Sequence, residues 1–226
     1  HALKLAQTEK LKSAFQYLKL VNPTSVLPNE LARFLYDHEA LNKTEIGDFI
    51  GNLSDNLFSA EEYEAIRTAY MGLLDFTGMT FDAGLRAFLC DSGFRLPGEA
   101  QKIDRLLEAF CKAYVRDNPG VFNNHTSAFV VAFALAMLNT DLHDPRLKSG
   151  TSTRKPMSLE AFQNNLRDVN DGGNFDPAFL EQMYMNIKSN AIEWKEPTDP
   201  NTITLAEENM SKEDRDRQTR KCFEIL

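Results

Sequence analysis

A single carboxylate at the start of a long helix is the first candidate for chemistry in this sequence. Glu99 follows the turn Leu96-Pro97-Gly98 and opens an amphipathic segment predicted from about Gly98 to Asp117. Proline fixes φ near the helical value and glycine lets the backbone approach another surface, so we expect Glu99 on an exposed corner. The helix macrodipole also favours an acid in a first turn, which is a purely structural explanation for Glu99.

Two groups of acidic and histidine residues resemble metal sites but lack the required ligands. The segment from Asp168 to Asp176 begins like a calcium loop, yet the twelfth position, which requires a bidentate glutamate, is Phe179. Asp141, His143 and Asp144 follow one another at the end of a predicted helix. Their spacing does not gather three side chains on one ion. The sequence therefore predicts neither a metal nor a cofactor.

The composition restricts the class of partner. The chain has 226 residues, a formal net charge of −8 and three cysteines, Cys90, Cys111 and Cys222. A negative net charge works against binding by bulk attraction to nucleic acid or to an anionic membrane surface. An odd cysteine count without metal-ligand spacing is typical of a reduced compartment, so we expect a cytoplasmic location.

The hydrophobic pattern predicts an all-α fold. Apolar residues recur at helical spacing almost everywhere and no segment alternates with a period of two, which indicates about ten helices. The first is expected from Leu3 to Leu20, and residues 146–156 are expected to form a loop. Six residues are predicted to cap helix starts, namely Asn29, Asn42, Ser59, Thr80, Ser158 and Asp176.

The most hydrophobic segment runs from Ala128 to Leu138, where all eleven residues are apolar. A bilayer crossing needs about 20 residues, so this segment is predicted to be a central helix enclosed by other helices. A charged segment begins near Thr198. We therefore predict a domain of residues 1–198 followed by a linker or tail of residues 199–226.

Two long motifs resemble a known family. They are FRLPGEAQKIDR, from Phe94 to Arg105, and AFALAMLNTDLHDP, from Ala132 to Pro145, and they resemble the signature motifs of the Sec-seven (Sec7) domain. The similarity continues to about Pro197. It implies an elongated right-handed superhelix of about ten helices. It also implies a guanine-nucleotide exchange factor, which promotes GDP release and GTP loading on Arf-family small GTPases without covalent chemistry.

The resemblance implies a role for particular residues. Glu99 corresponds to the acidic residue that the family inserts at the β-phosphate and Mg²⁺ site of the GTPase. The GTPase-binding residues that it implies lie in the first motif, along a hydrophobic groove, and at the polar end of the second motif. They are Phe94, Arg95 and Gln101, then Phe129, Phe133, Ala136 and Met137, and finally Asn139, Thr140, Asp141, His143 and Asp144.

The partner implied by the resemblance is a GDP-bound or nucleotide-free Arf-family GTPase. Membrane association is expected through other parts of the parent protein, with recruitment to Golgi, endosomal or plasma membrane. One alternative is a Sec7-like scaffold that binds a GTPase without exchange, but the acid at Glu99 in a complete first motif favours exchange. Another is a helical-repeat adaptor, which predicts a unit of roughly 34 to 47 residues that the sequence does not contain.

The resemblance also predicts how this domain responds to brefeldin A, an inhibitor of the family. Sensitive members carry Tyr-Ser where resistant members carry Phe-Ala, and this sequence has Phe133-Ala134. Since two hydroxyl groups are missing from the inhibitor's site, we expect resistance. Asp141 and Met157 resemble the residues of sensitive members, which makes partial resistance an alternative.

Overall fold

The computed structural model describes residues 11–149 and 154–193. Regular structure in these residues is helical apart from one isolated bridge between Asn170 and Gly173, so the predicted all-α class is confirmed. The helices are α1 (Leu11–Val21), a 3-10 turn (Pro23–Val26), α2 (Pro28–Asp37), α3 (Lys43–Ile50), α4 (Ala60–Met71), α5 (Phe81–Asp91), α6 (Ala100–Asp117), α7 (His125–Leu142), α8 (Pro145–Lys148), α9 (Leu159–Asn165) and α10 (Pro177–Ser189).

Local capping chemistry sets several helix starts where the sequence predicts them. The side chain of Asn42 accepts hydrogen bonds from the N–H groups of Thr44 and Glu45 at the start of α3. Ser59 and Glu62 form a reciprocal capping box at the start of α4. Ser158 and Asp176 cap α9 and α10 by accepting one backbone N–H each, whereas Thr80 occupies the N-cap of α5 without a side-chain hydrogen bond.

Two local predictions are wrong. Asn29 does not cap α2, because Pro28 already occupies the first turn and Leu27 is the N-cap. The loop predicted from residue 146 instead begins with the helical turn α8, because Pro145 suits its first position and Asp144 caps it.

Other predictions fall on parts of the chain that are not described. The start of the first predicted helix, before Leu11, lies outside the described residues. So do Cys222 and residues 199–226.

The main helix contacts link the helices in the order in which they occur along the chain. Helix α2 packs against α4, α4 against α6, α6 against α7, and α7 against α10. One cluster of buried apolar side chains continues from α1 to α10. Aromatic residues fill much of it, including Phe15, Tyr63, Tyr70, Phe81, Phe88, Phe110 and Tyr114.

Helix α7 is the central helix of this succession. By length and composition, the segment His125–Leu147 is apolar enough to cross a membrane. Half of that segment is buried by protein, however, because α7 packs against α5, α6 and α10. A helix enclosed on several sides is expected to be apolar nearly all round, which explains its composition.

Candidate functional site

Glu99 lies on an exposed corner directly before α6. It occupies the N-cap with an extended backbone, but its carboxylate does not cap the backbone N–H groups of the first turn. Its side chain is 69% exposed. Pro97 is buried, whereas a Cβ atom on Gly98 would have no other atom within 4 Å. The turn is therefore anchored on one side and open on the side where a partner would approach.

Lys102 is the cation beside this corner. Its Nζ atom lies 3.2 Å from Oε1 of Glu99 and 3.1 Å from Oδ1 of Asp48 on α3. Burial alone would disfavour its charge, but hydrogen bonds and charge attraction to Asp48 and Glu99 outweigh burial and raise the pKa of Lys102. One ammonium group is thus shared between two carboxylates.

Helix α3 supports the loop that leads to Glu99. The N–H of Arg95 donates to the carbonyl oxygen of Lys43 at 2.9 Å. A Cβ atom on Gly47 would lie 1.8 Å from the carbonyl oxygen of Arg95, and one on Gly51 would lie 2.9 Å from Cβ of Lys102. Lys43, Gly47 and Gly51 are spaced by four residues and lie on one face of α3 and of the C-cap residue that follows it. The loop that leads to Glu99 packs on this face.

Two arginine side chains hold the carboxyl end of α3. Arg67 from α4 is 6% exposed and donates to the carbonyl oxygens of Ile50 and Asn52, at 2.7 and 3.1 Å. Arg105 from α6 donates through Nε to the carbonyl oxygen of Gly51 at 2.8 Å. Cations at a helix carboxyl end satisfy its free carbonyl groups and complement its macrodipole.

The other residues of the first motif have different surroundings. Phe94 is 1% exposed, and its ring packs edge-on against Tyr70 and Phe88 with centroid separations of 5.8 and 5.7 Å. It anchors the loop in the core and offers a partner no surface. Arg95 is half-buried and Gln101 is exposed on the first turn of α6.

An apolar strip lies on the outer face of α7. Val130 is 40% and Met137 49% exposed, while Phe133 between them is 7% exposed and packs on Phe129 at a ring separation of 4.8 Å. We call these four residues the α7 strip. Ala136, also expected in the groove, is 7% exposed. Sequence reasoning missed Val130, although its spacing of seven residues from Met137 places both on one face.

The two motifs include parts of two neighbouring helices. Helices α6 and α7 pack against each other and are joined by residues 118–124.

Two polar residues of the second motif form internal hydrogen bonds. Asn139 is 5% exposed, and its amide donates to the carbonyl oxygen of Ile192 and accepts from the N–H of Ile192. Nε2 of His143 lies 2.7 Å from the carbonyl oxygen of Ile187 on α10. His143 therefore binds α10, and Asn139 binds the chain beyond it, to the end of α7.

The remaining polar residues lie nearer the surface. Asp141 pairs with Arg154, and Thr140 is exposed. Asp144 pairs with Arg146 at 2.7 Å, and hydrogen bonds from the side chain and backbone of Arg146 lower the pKa of Asp144 to about 2. A carboxylate with so low a pKa stays ionised at neutral pH.

The calcium-like segment packs against the loop before α7. The N–H of Asn123 donates to Oδ1 of Asn170, and the hydroxyl of Ser127 donates to the carbonyl oxygen of Val169. Among residues 11–149 and 154–193, no group of three His, Cys, Asp or Glu side chains is arranged to hold a metal ion.

Comparison with known proteins shows which family this chain resembles. The family model of the Sec7 domain matches residues 4–192. Human cytohesin-2 is 40% identical over 194 residues, which cover 85% of this chain and 44% of cytohesin-2. Brefeldin A-inhibited guanine nucleotide-exchange protein 3 of Arabidopsis thaliana is 38% identical over 188 residues, 83% of this chain and 10% of that protein.

A solved structure gives a match of similar extent. It contains ARF1-GDP bound to a Sec7 domain complexed with brefeldin A, and it matches with a TM-score of 0.64 and 29% identity over 85% of this chain and 90% of that chain. This chain spans less than half the length of the two relatives. Because the matches include both motifs and nearly all of the described helices, the chain belongs to the Sec7 domain family.

Proposed function

We propose that this domain is a guanine-nucleotide exchange factor for an Arf-family small GTPase and that Glu99 opens the nucleotide site. The Arabidopsis relative is named as an exchange protein, and the matched structure contains ARF1-GDP bound to a Sec7 domain. The observation that carries the proposal is the position of Glu99, 69% exposed on a corner that is open at Gly98.

The first step is docking of the GTPase switch regions. Val130 and Met137 present exposed apolar surface on a helix whose other large apolar side chains are buried or partly buried. Contiguous exposed apolar side chains favour a protein partner that buries them. The switch regions would cover the α7 strip with their own apolar side chains, and docking would bring the first-motif loop next to the nucleotide.

The second step is entry of the Glu99 carboxylate into the phosphate site. There it repels the β-phosphate, displaces Mg²⁺ and offers the P-loop lysine another anion. At about 4 Å and an effective dielectric of about 20, one such contact is worth on the order of 4 kcal/mol, or roughly a thousandfold in nucleotide release. GDP leaves, GTP enters, and no covalent bond is made or broken.

The polar end of α7 would contact the rim of the docked GTPase. Thr140 and Gln101 are exposed and suit such contacts directly, whereas Arg95 is half-buried. The side chains of Asp141 and Asp144 are only 12% and 11% exposed and pair with Arg154 and Arg146, so they would contact the GTPase through a small exposed part. Asn139, His143, Phe94 and Ala136, which are also part of the proposed binding set, would act mainly by holding these surfaces in place.

Other parts of the parent protein would choose the membrane. The domain of residues 1–198 would act from the cytoplasm after peripheral recruitment to Golgi, endosomal or plasma membrane. Residues 199–226 would form the linker or tail between this domain and those parts.

The test is the release of fluorescent GDP from an Arf-family GTPase with the Glu99→Lys variant. Exchange should fall by at least a hundredfold, because the charge delivered to the phosphate is reversed while the α7 strip is unchanged. The variant should still bind the GDP-bound GTPase. Retained exchange with a normal circular dichroism spectrum would contradict the role of Glu99. A wild-type domain that binds the GTPase without speeding GDP release would contradict the exchange function and favour the inert scaffold.

A matched control separates this effect from a change in helix-start electrostatics. Glu30 is likewise an exposed acid in the first turn of a helix, α2, which neither motif includes. Glu30→Lys makes the same charge change and should leave the exchange rate within about twofold of the wild type.

A further inference from the structure

The side chain of Lys102 is more buried than that of Glu99, whose carboxylate it contacts, and is therefore less free to move. The side chain of Lys102 is 14% exposed, against 69% for Glu99 and 48% for Asp48. Its stem lies against Gly51, where a Cβ atom would be 2.9 Å from Cβ of Lys102. An exposed glutamate samples many rotamers, so a fixed cation 3.2 Å from its oxygen narrows that sampling.

Asp48 gives Lys102 a second acceptor that does not depend on Glu99. When Glu99 moves into a nucleotide site, the ammonium remains paired with Asp48 and is not left alone in a mostly buried position. A cavity of about 410 Å³ opens beside Asp48 and Lys102. It leaves room for the ammonium to shift away from Glu99 without losing Asp48.

We propose that Lys102 is a positioning residue that directs the Glu99 carboxylate outward from the start of α6, and that Asp48 on α3 fixes Lys102. This inference rests on the proposed exchange function. In that function Lys102 touches neither nucleotide nor Mg²⁺, and it acts only through Glu99. Helix α3 is then part of the exchange machinery, although neither signature motif includes it.

The test is a double-mutant cycle in the nucleotide-exchange assay. Asp48→Asn and Lys102→Met should each lower kcat by about two- to fivefold, the range expected of an ion pair whose carboxylate is exposed, with KM for the GDP-bound GTPase unchanged. The double variant should be no slower than Lys102→Met alone, because Asp48 acts through Lys102. Lys102→Arg, which keeps the cation, should retain more of kcat than Lys102→Met.

Three outcomes would overturn the inference. They are a wild-type kcat in either single variant, multiplicative losses in the double variant, and a change confined to KM. Asp37→Asn, at an exposed acid on α2, controls for loss of one surface charge. The wild type and Glu99→Lys in the same assay separate the two proposals: an inactive wild type refutes the exchange function, and an active Glu99→Lys variant refutes the role of Glu99. If Glu99→Lys is inactive while Asp48→Asn and Lys102→Met keep their kcat, only the role of Lys102 fails.

Discussion

A Cβ atom on Gly47 would lie 1.8 Å from the carbonyl oxygen of Arg95, closer than any side chain can approach. The loop that carries Glu99 thus rests on the bare backbone of α3, and any residue larger than glycine at position 47 would push the loop away. The same loop is tied to α3 by the hydrogen bond from the N–H of Arg95 to the carbonyl oxygen of Lys43.

Gly47→Ala should therefore lower both stability and exchange. Overpacking of this kind costs about 1–3 kcal/mol in the free energy of unfolding, and the displaced loop should deliver Glu99 poorly. Urea unfolding and the exchange rate measure the two effects. Gly98→Ala is the stability control, since its added methyl group meets nothing within 4 Å. An unchanged free energy of unfolding in Gly47→Ala would show that the loop yields without cost.

Met137→Asp should weaken docking more than folding. Met137 is 49% exposed on the α7 strip, so a charge there meets water in the free protein and an apolar partner in the complex. We expect KM for the GTPase to rise at least about tenfold with little change in the free energy of unfolding. Met185→Asp on α10, where the methionine is 43% exposed, is the matched control. Equal effects of the two variants on KM would exclude the α7 strip.

Phe133→Asp should damage the fold as well as docking. Its ring is 7% exposed and packs on Phe129, so the charge would be placed in a mostly buried site. We expect a loss of about 3 kcal/mol or more in the free energy of unfolding, measured by urea titration. A fully stable Phe133→Asp variant would show that Phe133 faces the groove and not the core.

Asn139→Ala should destabilise the domain without any GTPase present. The substitution leaves the buried N–H and carbonyl groups of Ile192 without the amide that satisfies both. Two such losses cost about 2–4 kcal/mol, measurable as a lower urea midpoint. Thr140→Ala, at the exposed neighbouring position, is the control. A stable Asn139→Ala variant with reduced GTPase binding would return Asn139 to the role of a direct contact.

Brefeldin A should inhibit this domain poorly, although the Arabidopsis relative is named as brefeldin A-inhibited. The hydroxyl groups of a Tyr-Ser pair are missing at Phe133-Ala134, and each buried hydrogen bond lost costs about 1–3 kcal/mol. The double substitution Phe133→Tyr, Ala134→Ser should strengthen inhibition by an order of magnitude or more. Micromolar inhibition that this double variant fails to strengthen would contradict the prediction.

The hydrogen bonds of Asp55 should make stability depend on pH in the acid range. Its carboxylate accepts from the N–H groups of Leu57 and Phe58, and it also contacts Tyr63 and Lys12. Burial raises the pKa of Asp55, but these partners outweigh burial and hold it far below its usual range.

The sign of this pH dependence follows from the lowered pKa. The unfolded carboxyl has a pKa of about 3.9, so the stabilisation is complete above about pH 5 and is lost as the pH falls towards the folded-state pKa. Asp55→Asn should cost about 1–3 kcal/mol in the free energy of unfolding at pH 7 and less at pH 3. Equal losses at both pH values would show that the charge of Asp55 contributes nothing.

The sequence predicts features that depend on neighbouring residues in the chain. The capping box of Ser59 and the cap at Asn42 are visible because each partner lies within three residues. The cap assigned to Asn29 was wrong because Pro28 competes for the same turn. Glu99 was found from a local turn and from the resemblance of its motif, and its exposed position agrees with the corner that the turn predicts.

Contacts between distant parts of the chain were not predictable from the sequence. Nothing in the residues around Gly47 indicates that Arg95 will lie on it, and the amide of Asn139 shows no preference for Ile192 until α10 is in place. These contacts depend on how the helices pack. Lys102 and Asp48 were missed for this reason, whereas the spacing of Val130 from Met137 was a local signal that could have identified Val130.

The arginine side chains at the carboxyl end of α3 have a consequence for local opening. An eight-residue helix is too short to persist alone, so α3 depends on Arg67 and Arg105 from its neighbours. The Arg95 amide is in turn protected by α3. In native-state hydrogen exchange, the hydrogen-bonded amide protons of α3 and of Arg95 should therefore give one common free energy of opening, as a single cooperative unit. The helix and the loop that holds Glu99 would be lost and regained together.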